Sequence, residues 1–340
     1  MMTTAISPSA LRRAGLPVFF LALVLSTVGQ LPTASAQGNW KPAKPIEFIN
    51  PAAPGGSVDL MIRLTKKFAE DSKSYDVPAN VLYKTGANGG IAMDYVSQAA
   101  GGNETLLAIS HTFLTHKLTG ESRTDWRDVT PVGILFKEYH VIAIRADSRI
   151  KDGRDLIEKL KQDPSSVSFG FFGNPGNHLH LAAAIPLKAA GVDIRKLTTV
   201  PYRSGPEAIT AVLGGHIDAA LVSAVNTEQQ VASGKMRVIT QSGAKRLPGF
   251  LAQVPTWREL GVNVEYATAQ GFAGPKGMSR DAVAYWESVL ARLSKDDEWN
   301  RQLTRSMWDS TYMTGAQHRK YYEDEFTRMQ ATLVELGLVK

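Results

Sequence analysis

The stretch from Lys44 to Asp59, KPIEFINPAAPGGSVD, decides how the rest of the chain is read. Ile46–Asn50 is a short apolar run with one charge in it, the pattern of a buried strand. Pro51 stops it, and Ala53-Pro54-Gly55-Gly56-Ser57 forms a loop. Residues 58–70 then set Leu60, Ile62, Leu64, Phe68 and Ala69 in a helical apolar pattern. The unit is strand, loop, helix, with the loop at the carboxyl end of the strand. Two glycines let a ligand come close to the backbone, and free N–H groups at a helix start favour an anion. Ser57 can cap the helix or donate its hydroxyl to a carboxylate, and Asp59 suits the first turn through the helix dipole. An ordinary capped turn has the same appearance, and the stretch is no P-loop.

Outward from this unit the same rhythm recurs. Residues 81–83 resume a strand, Gly86-Ala-Asn-Gly-Gly90 turns into a helix at 91–99, and Thr105–Ile109 is strand again. This βαβαβ order predicts a parallel sheet with helices on its faces. A second block follows: strand 141–144, helix Gly153–Gln162, strand 167–169, helix 178–190, strand 198–200, helix 206–213, and strands 217–222 and 236–240. Helices predominate at the end, over 280–294, 299–305 and 316–336. Two βα-rich blocks with a helical tail predict an α/β protein of two lobes.

The first 36 residues have a different character. Arg12 and Arg13 precede the apolar run LPVFFLALVLSTV, and Ala34-Ser35-Ala36 supplies a small-residue cleavage site. That order is a cleavable secretory signal, and the run is shorter than a spanning helix needs. Without those two arginines, 36 basic side chains face 32 acidic ones, a net +4. So mild and dispersed a charge gives no nucleic-acid footprint, though it helps an anion approach. The absence of cysteine excludes disulfides, thiolate metal sites, a catalytic Cys and a lipid-modified N-terminus. The expectation is a soluble, exported monomer.

Two further strand ends resemble the first in design. Phe172-Gly-Asn174-Pro-Gly176-Asn177-His178 joins a strand to a helix, with Asn177 placed as N-cap. Ser110-His111-Thr112 follows the strand Thr105–Ile109 and carries two hydroxyls and an imidazole. Ligands of open parallel sheets bind beyond the carboxyl ends of strands, so the three loops together suggest a site. Solvated caps would explain each of them singly. His178 and His180 lie two apart, on different helix faces, and no Glu completes a zinc motif, which disfavours a metal. No Gly-x-Ser-x-Gly elbow supports a secreted hydrolase. Gly170, Gly173 and Gly176 have the wrong spacing for a dinucleotide loop, and no cofactor is expected.

Taken in order, these segments resemble the Bug family, the substrate-binding proteins of tripartite tricarboxylate transporters. The resemblance runs from Lys44–Asp59 through Gly86–Gly90, Thr105-Leu-Leu and the loop before His178. It continues in Val200-Pro-Tyr202-Arg203-Ser204-Gly-Pro-Glu-Ala208, Leu213-Gly-Gly-His-Ile-Asp218, Ala232-Ser-Gly-Lys235 and Val254-Pro-Thr256. It implies a two-lobed periplasmic binding protein, a Venus flytrap, with two bridging strands at 141–144 and 264–272. The lobes would be 37–140 with 266–340, and 141–265. It implies no catalysis. A small carboxylate would be held by the loop Ala53–Ser57 and by 174–178, with Tyr202, Arg203 and Ser204 facing the cleft. Arg203 would take a second carboxylate, because its planar fork pairs bidentately. The implied partners are integral-membrane transporter subunits, with a sensor kinase as the alternative. Two departures stand out. Gly102-Asn103-Glu104 replaces the family's Asp-Gly-Tyr, and Phe172, Asn174, Pro175, Asn177 and His178 make the second loop bulkier and poorer in hydroxyls. The changed loop predicts an aromatic or otherwise less polar carboxylate.

Overall fold

The computed structural model describes residues 40–339, so the secretory signal expected at 1–36 lies outside the described residues. The chain begins with β1 (Ile46–Asn50), buried at four of five positions, followed by α1 (Ser57–Asp71), β2 (Ala79–Tyr83), α2 (Gly90–Ser97), β3 (Thr105–Ile109) and the single turn α3 (His116–Thr119). β1 pairs in parallel with β2 and β3, as the alternation of strand and helix predicts.

The next strand organises the molecule. β4 (Val129–Arg145) is 17 residues long, and only its last part was expected from sequence. Pro131 and Gly133 interrupt any strand pattern, and the register slips beside each of them. The second block supplies α4 (Gly153–Gln162), β5 (Ser168–Phe172), α5 (His178–Ala189), β6 (Thr198–Tyr202), α6 (Gly205–Leu213), β7 (Ala219–Ser223), α7 (Glu228–Ala232) and β8 (Met236–Gln241). β5 lies parallel between β6 and β7, and β7 and β8 flank β4 from His140 onward.

The chain then returns through β9 (Ala267–Pro275), antiparallel to β3 and to the first part of β4. It closes with α8 (Arg280–Leu293), α9 (Asp297–Arg305), the edge strand β10 (Asp309–Thr314) on β4, and α10 (Gly315–Glu335). β10 was not expected, because its polar sequence DSTYMT and a bulge hide the strand period.

Two halves result, joined by two strands. β4 pairs with β9 up to Tyr139 and with β7 from His140. The second crossing falls at the head of β9, where the Tyr266 N–H bonds to the Ser242 carbonyl at 3.0 Å. The halves are closely joined, and the described residues fall in one compact unit. β4 and β9 pack so tightly that a Cβ on Gly271 would lie 2.0 Å from the Gly133 carbonyl oxygen, so glycine is required there.

Each half has its own core. Phe48, Phe136, Phe272, Trp286 and Trp299 fill one face of the first sheet, and Phe169, Phe171, Leu187 and Trp257 one face of the second. Each such side chain contributes about 1.5–3 kcal/mol on burial. α5 also packs Leu181, Ala182 and Ile185 against Leu333 of α10, tying the second half to the first. Among the described residues no helix is long and apolar enough to cross a membrane.

Candidate functional site

The carboxyl ends of β1 and β3 face those of β5 and β7 where β4 passes from one half to the other, and the polar residues gather there. In the first half, Gly56 precedes α1 as an N-cap with no side chain to give, and the N–H groups of Gly56, Ser57 and Val58 carry no hydrogen bond among the described residues. Ala53, Pro54, Gly55 and Gly56 are exposed. This is the free helix start an anion needs.

Asp59 holds that loop in shape. Its carboxylate accepts from the Tyr83 hydroxyl at 2.7 Å, Arg63 Nε at 2.9 Å, the Gly55 N–H at 3.0 Å and the Asn50 amide at 3.1 Å. Burial alone would raise this carboxyl, but the bonds from Arg63, Gly55 and Tyr83 hold it below the ordinary carboxylate range. Asp59 was expected to touch ligand. Instead it is buried with both oxygens engaged, and it shapes the loop.

His111 departs from expectation in the same way. It is fully buried, its Nδ1 accepts the Ala269 N–H at 2.8 Å, and its Nε2 lies 3.4 Å from Glu325. Its flanking residues remain at the strand end. Ser110 is half-buried, and Thr112 reaches across to the second half, 2.6 Å from His178 Nδ1.

In the second half, Asn177 caps α5, accepting from the Leu179 and His180 N–H groups at 3.0 Å each. Its amide donates to the Phe172 carbonyl at 2.6 Å, and the Gly176 N–H donates to His180 Nδ1 at 3.0 Å. Asn177 and Gly176 are therefore buried framework, while Phe172, Asn174 and His178 offer side chains. Phe172 is 37% exposed, its ring 5.9 Å from that of His178. Asn174 donates to Glu121, which also takes the Asn88 amide and so clamps first half to second. Burial brings the His178 imidazole down to about 3, so it is neutral.

The neighbouring β6 end adds Tyr202, whose carbonyl accepts the Gly173 N–H at 2.9 Å. Ser204 is the cap of α6, which occupies its oxygen. Arg203 is exposed, its N–H bonded to Glu207, and its guanidinium has no ion pair among the described residues.

Sequence reasoning missed the floor of this site. Glu138 on β4 is buried and accepts from Gln270 Nε2 at 2.8 Å, from Ser57 at 3.4 Å, and from Ser223 at the end of β7. Burial pushes its carboxyl up, and the groups of Ser223, Trp308, Ser57 and Gln270 oppose the rise. The Trp308 N–H approaches without hydrogen-bonding geometry. A signal existed in the charged pair Lys137-Glu138 inside an otherwise apolar run, but that run had not been recognised as a strand. A concavity of about 270 Å³ between α1, α8 and α9 is lined by none of these residues.

Fold and site together define a two-lobed periplasmic binding protein. Three relatives make the comparison concrete. BugT of Bordetella pertussis is 28% identical over 93% of this chain and 96% of its own. A Rhodopseudomonas palustris protein solved with adipate superposes with a TM-score of 0.74 at 20% identity, over 88% of this chain and 99% of that one. MatC from Rhodopseudomonas palustris, with bound malate, superposes at 0.72 and 21% identity, over 86% and 99%. The description "Tripartite tricarboxylate transporter family receptor" matches residues 69–338, and the chain belongs to that family. Its members are substrate-binding receptors, not enzymes.

Proposed function

We propose that this protein captures a small carboxylate between its two halves in the periplasm and delivers it to membrane transporter subunits. The observation that carries the proposal is the free helix start at Gly56–Val58 in one half, which Thr112 and Glu121 of that half bridge to His178 and Asn174 of the other. The carboxylate accepts the free N–H groups of the first loop, and the second loop closes on its remainder. Closure follows from the ligand's higher affinity for the closed state. The lobes are 37–140 with 266–340, and 141–265; the change of β4 partners at Tyr139/His140 supports this division. The leader at 1–36 directs export.

The family and the two carboxylate-bound neighbours support the ligand class. The exposed ring of Phe172 favours an aromatic or otherwise less polar skeleton, and the unpaired Arg203 favours a second carboxylate. Thermal unfolding against aliphatic and aromatic mono- and dicarboxylates tests the proposal. A ligand at 100 times its Kd adds about 2.7 kcal/mol of stability. A shift confined to one carboxylate class, with Arg203→Ala weakening dicarboxylates about tenfold or more relative to monocarboxylates, is the expected result. No shift with any acid refutes the receptor proposal, and equal losses for both classes remove Arg203 from its role.

A further inference from the structure

A buried carboxylate on the floor of a carboxylate site repels the ligand it is meant to serve, unless the ligand presents something else to it. Glu138 is in that position. It lies within reach of Ser57, the first residue of α1, and on its other side meets Ser223. Ser57, Gln270 and Ser223 together supply three hydrogen bonds to a group with about four lone-pair sites, which leaves acceptor capacity unused.

A second acceptor stands beside it. His140 is two residues further along β4, so its side chain leaves the strand on the same face. It is 3% exposed and lies with its ring 5.5 Å from that of His178. Its Nε2 is 3.1 Å from the Thr268 hydroxyl, which itself donates to the Glu138 carbonyl at 3.4 Å. In the tautomer that donates from Nε2 to Thr268, Nδ1 is left a bare lone pair. Nδ1 has no partner among the described residues, and an unsatisfied buried polar atom is costly. Burial, with His178 and His111 nearby, holds this imidazole well below its ordinary value, so Nδ1 is not relieved by taking a proton.

Resting on the receptor reading, we propose that Glu138 and His140 form a donor-selective subsite: the ligand carries an ammonium or hydroxyl group beside its carboxylate and presents it to these two acceptors. The carboxylate goes to the helix start of α1 and the donor to the floor on β4, so the preferred ligands are amino or hydroxy acids. Gln270, bonded to both Ser57 at 3.0 Å and Glu138, keeps the two functions apart.

Calorimetric titration of the mature protein with succinate, malate and aspartate, and with phenylacetate, mandelate and phenylglycine, isolates the donor on two skeletons. On the skeleton that binds, the hydroxy or amino member is expected to bind roughly 10- to 100-fold tighter than the unsubstituted acid. Glu138→Gln, checked for folding by its thermal transition, is expected to bring that ratio close to one. An unsubstituted acid that binds as tightly as its donor-bearing partners overturns the subsite in the wild-type protein alone. A ratio that survives Glu138→Gln also overturns it. If no carboxylate binds, the receptor reading falls and this inference falls with it.

Discussion

The two βα loops that face each other, Pro51–Gly56 and Gly173–Asn177, share a plan but use their glycines oppositely. A Cβ at Gly55 or Gly56 would meet nothing within 4 Å. At Gly173 it would lie 2.5 Å from the Asn177 amide, and at Gly176 3.0 Å from Leu333. Positive φ is common to both, +92° at Gly55 against +88° and +90° at Gly173 and Gly176. The difference is therefore packing: the first loop keeps space against its backbone and the second has none. The proposed function thus has one loop binding through main-chain N–H groups and the other through the side chains of Phe172, Asn174 and His178. Their supports differ too. A carboxylate, Asp59, pins the first, whereas neutral His180 and the Asn177 cap pin the second.

The largest expected effect is on the first support. Asp59→Ala leaves the buried Asn50 amide without its acceptor and frees the exposed Gly55 N–H and Tyr83 hydroxyl, a loss of about 1–3 kcal/mol. Urea unfolding would show it, with ligand affinity lost in parallel. A cost below about 1 kcal/mol would mean the loop keeps its shape without Asp59.

Acid separates the two supports. Burial holds His180 down to about 4, whereas an unfolded histidine titrates near 6.5. The unfolded chain therefore binds the extra proton between those values. The His180 contribution is intact above about pH 6.5 and is lost as pH falls toward 4, by up to about 1.4 kcal/mol per unit. Asp59, with a depressed carboxyl, keeps its contribution through that window and loses it only as pH falls below its ordinary 3.8. His180→Asn keeps an acceptor for the Gly176 N–H and removes the proton site, so its stability should fall less steeply from pH 6.5 to 4. An unchanged slope would remove His180 from the account.

What the sequence revealed follows the same division. Asn177 as a cap and the Gly-Gly-Ser helix start were legible because both are local, set by residues within four positions of each other. That Asp59 and His111 are buried and engaged was not legible, because Tyr83, Ala269 and Glu325, which engage them, are distant in sequence. Glu138 and His140 were missed for a third reason. They lie between the stretch of β4 that Pro131, Gly133 and two register shifts disguise and the run 141–144 that was read as strand, so neither was placed on a strand. The family resemblance supplied the two-lobed arrangement, which periodicity alone only suggested.

The central claim is that the first loop takes the carboxylate through its backbone, and Gly56→Ala tests it most directly. Gly56 has φ −85°, which alanine tolerates, and open space where the methyl would go. The free protein should unfold within a degree or two of wild type. Titration with the best carboxylate should show affinity reduced by about tenfold or more, because the methyl occupies the ligand's approach to the N–H groups. Unchanged affinity in a normally folded Gly56→Ala protein would contradict the claim and place the carboxylate elsewhere.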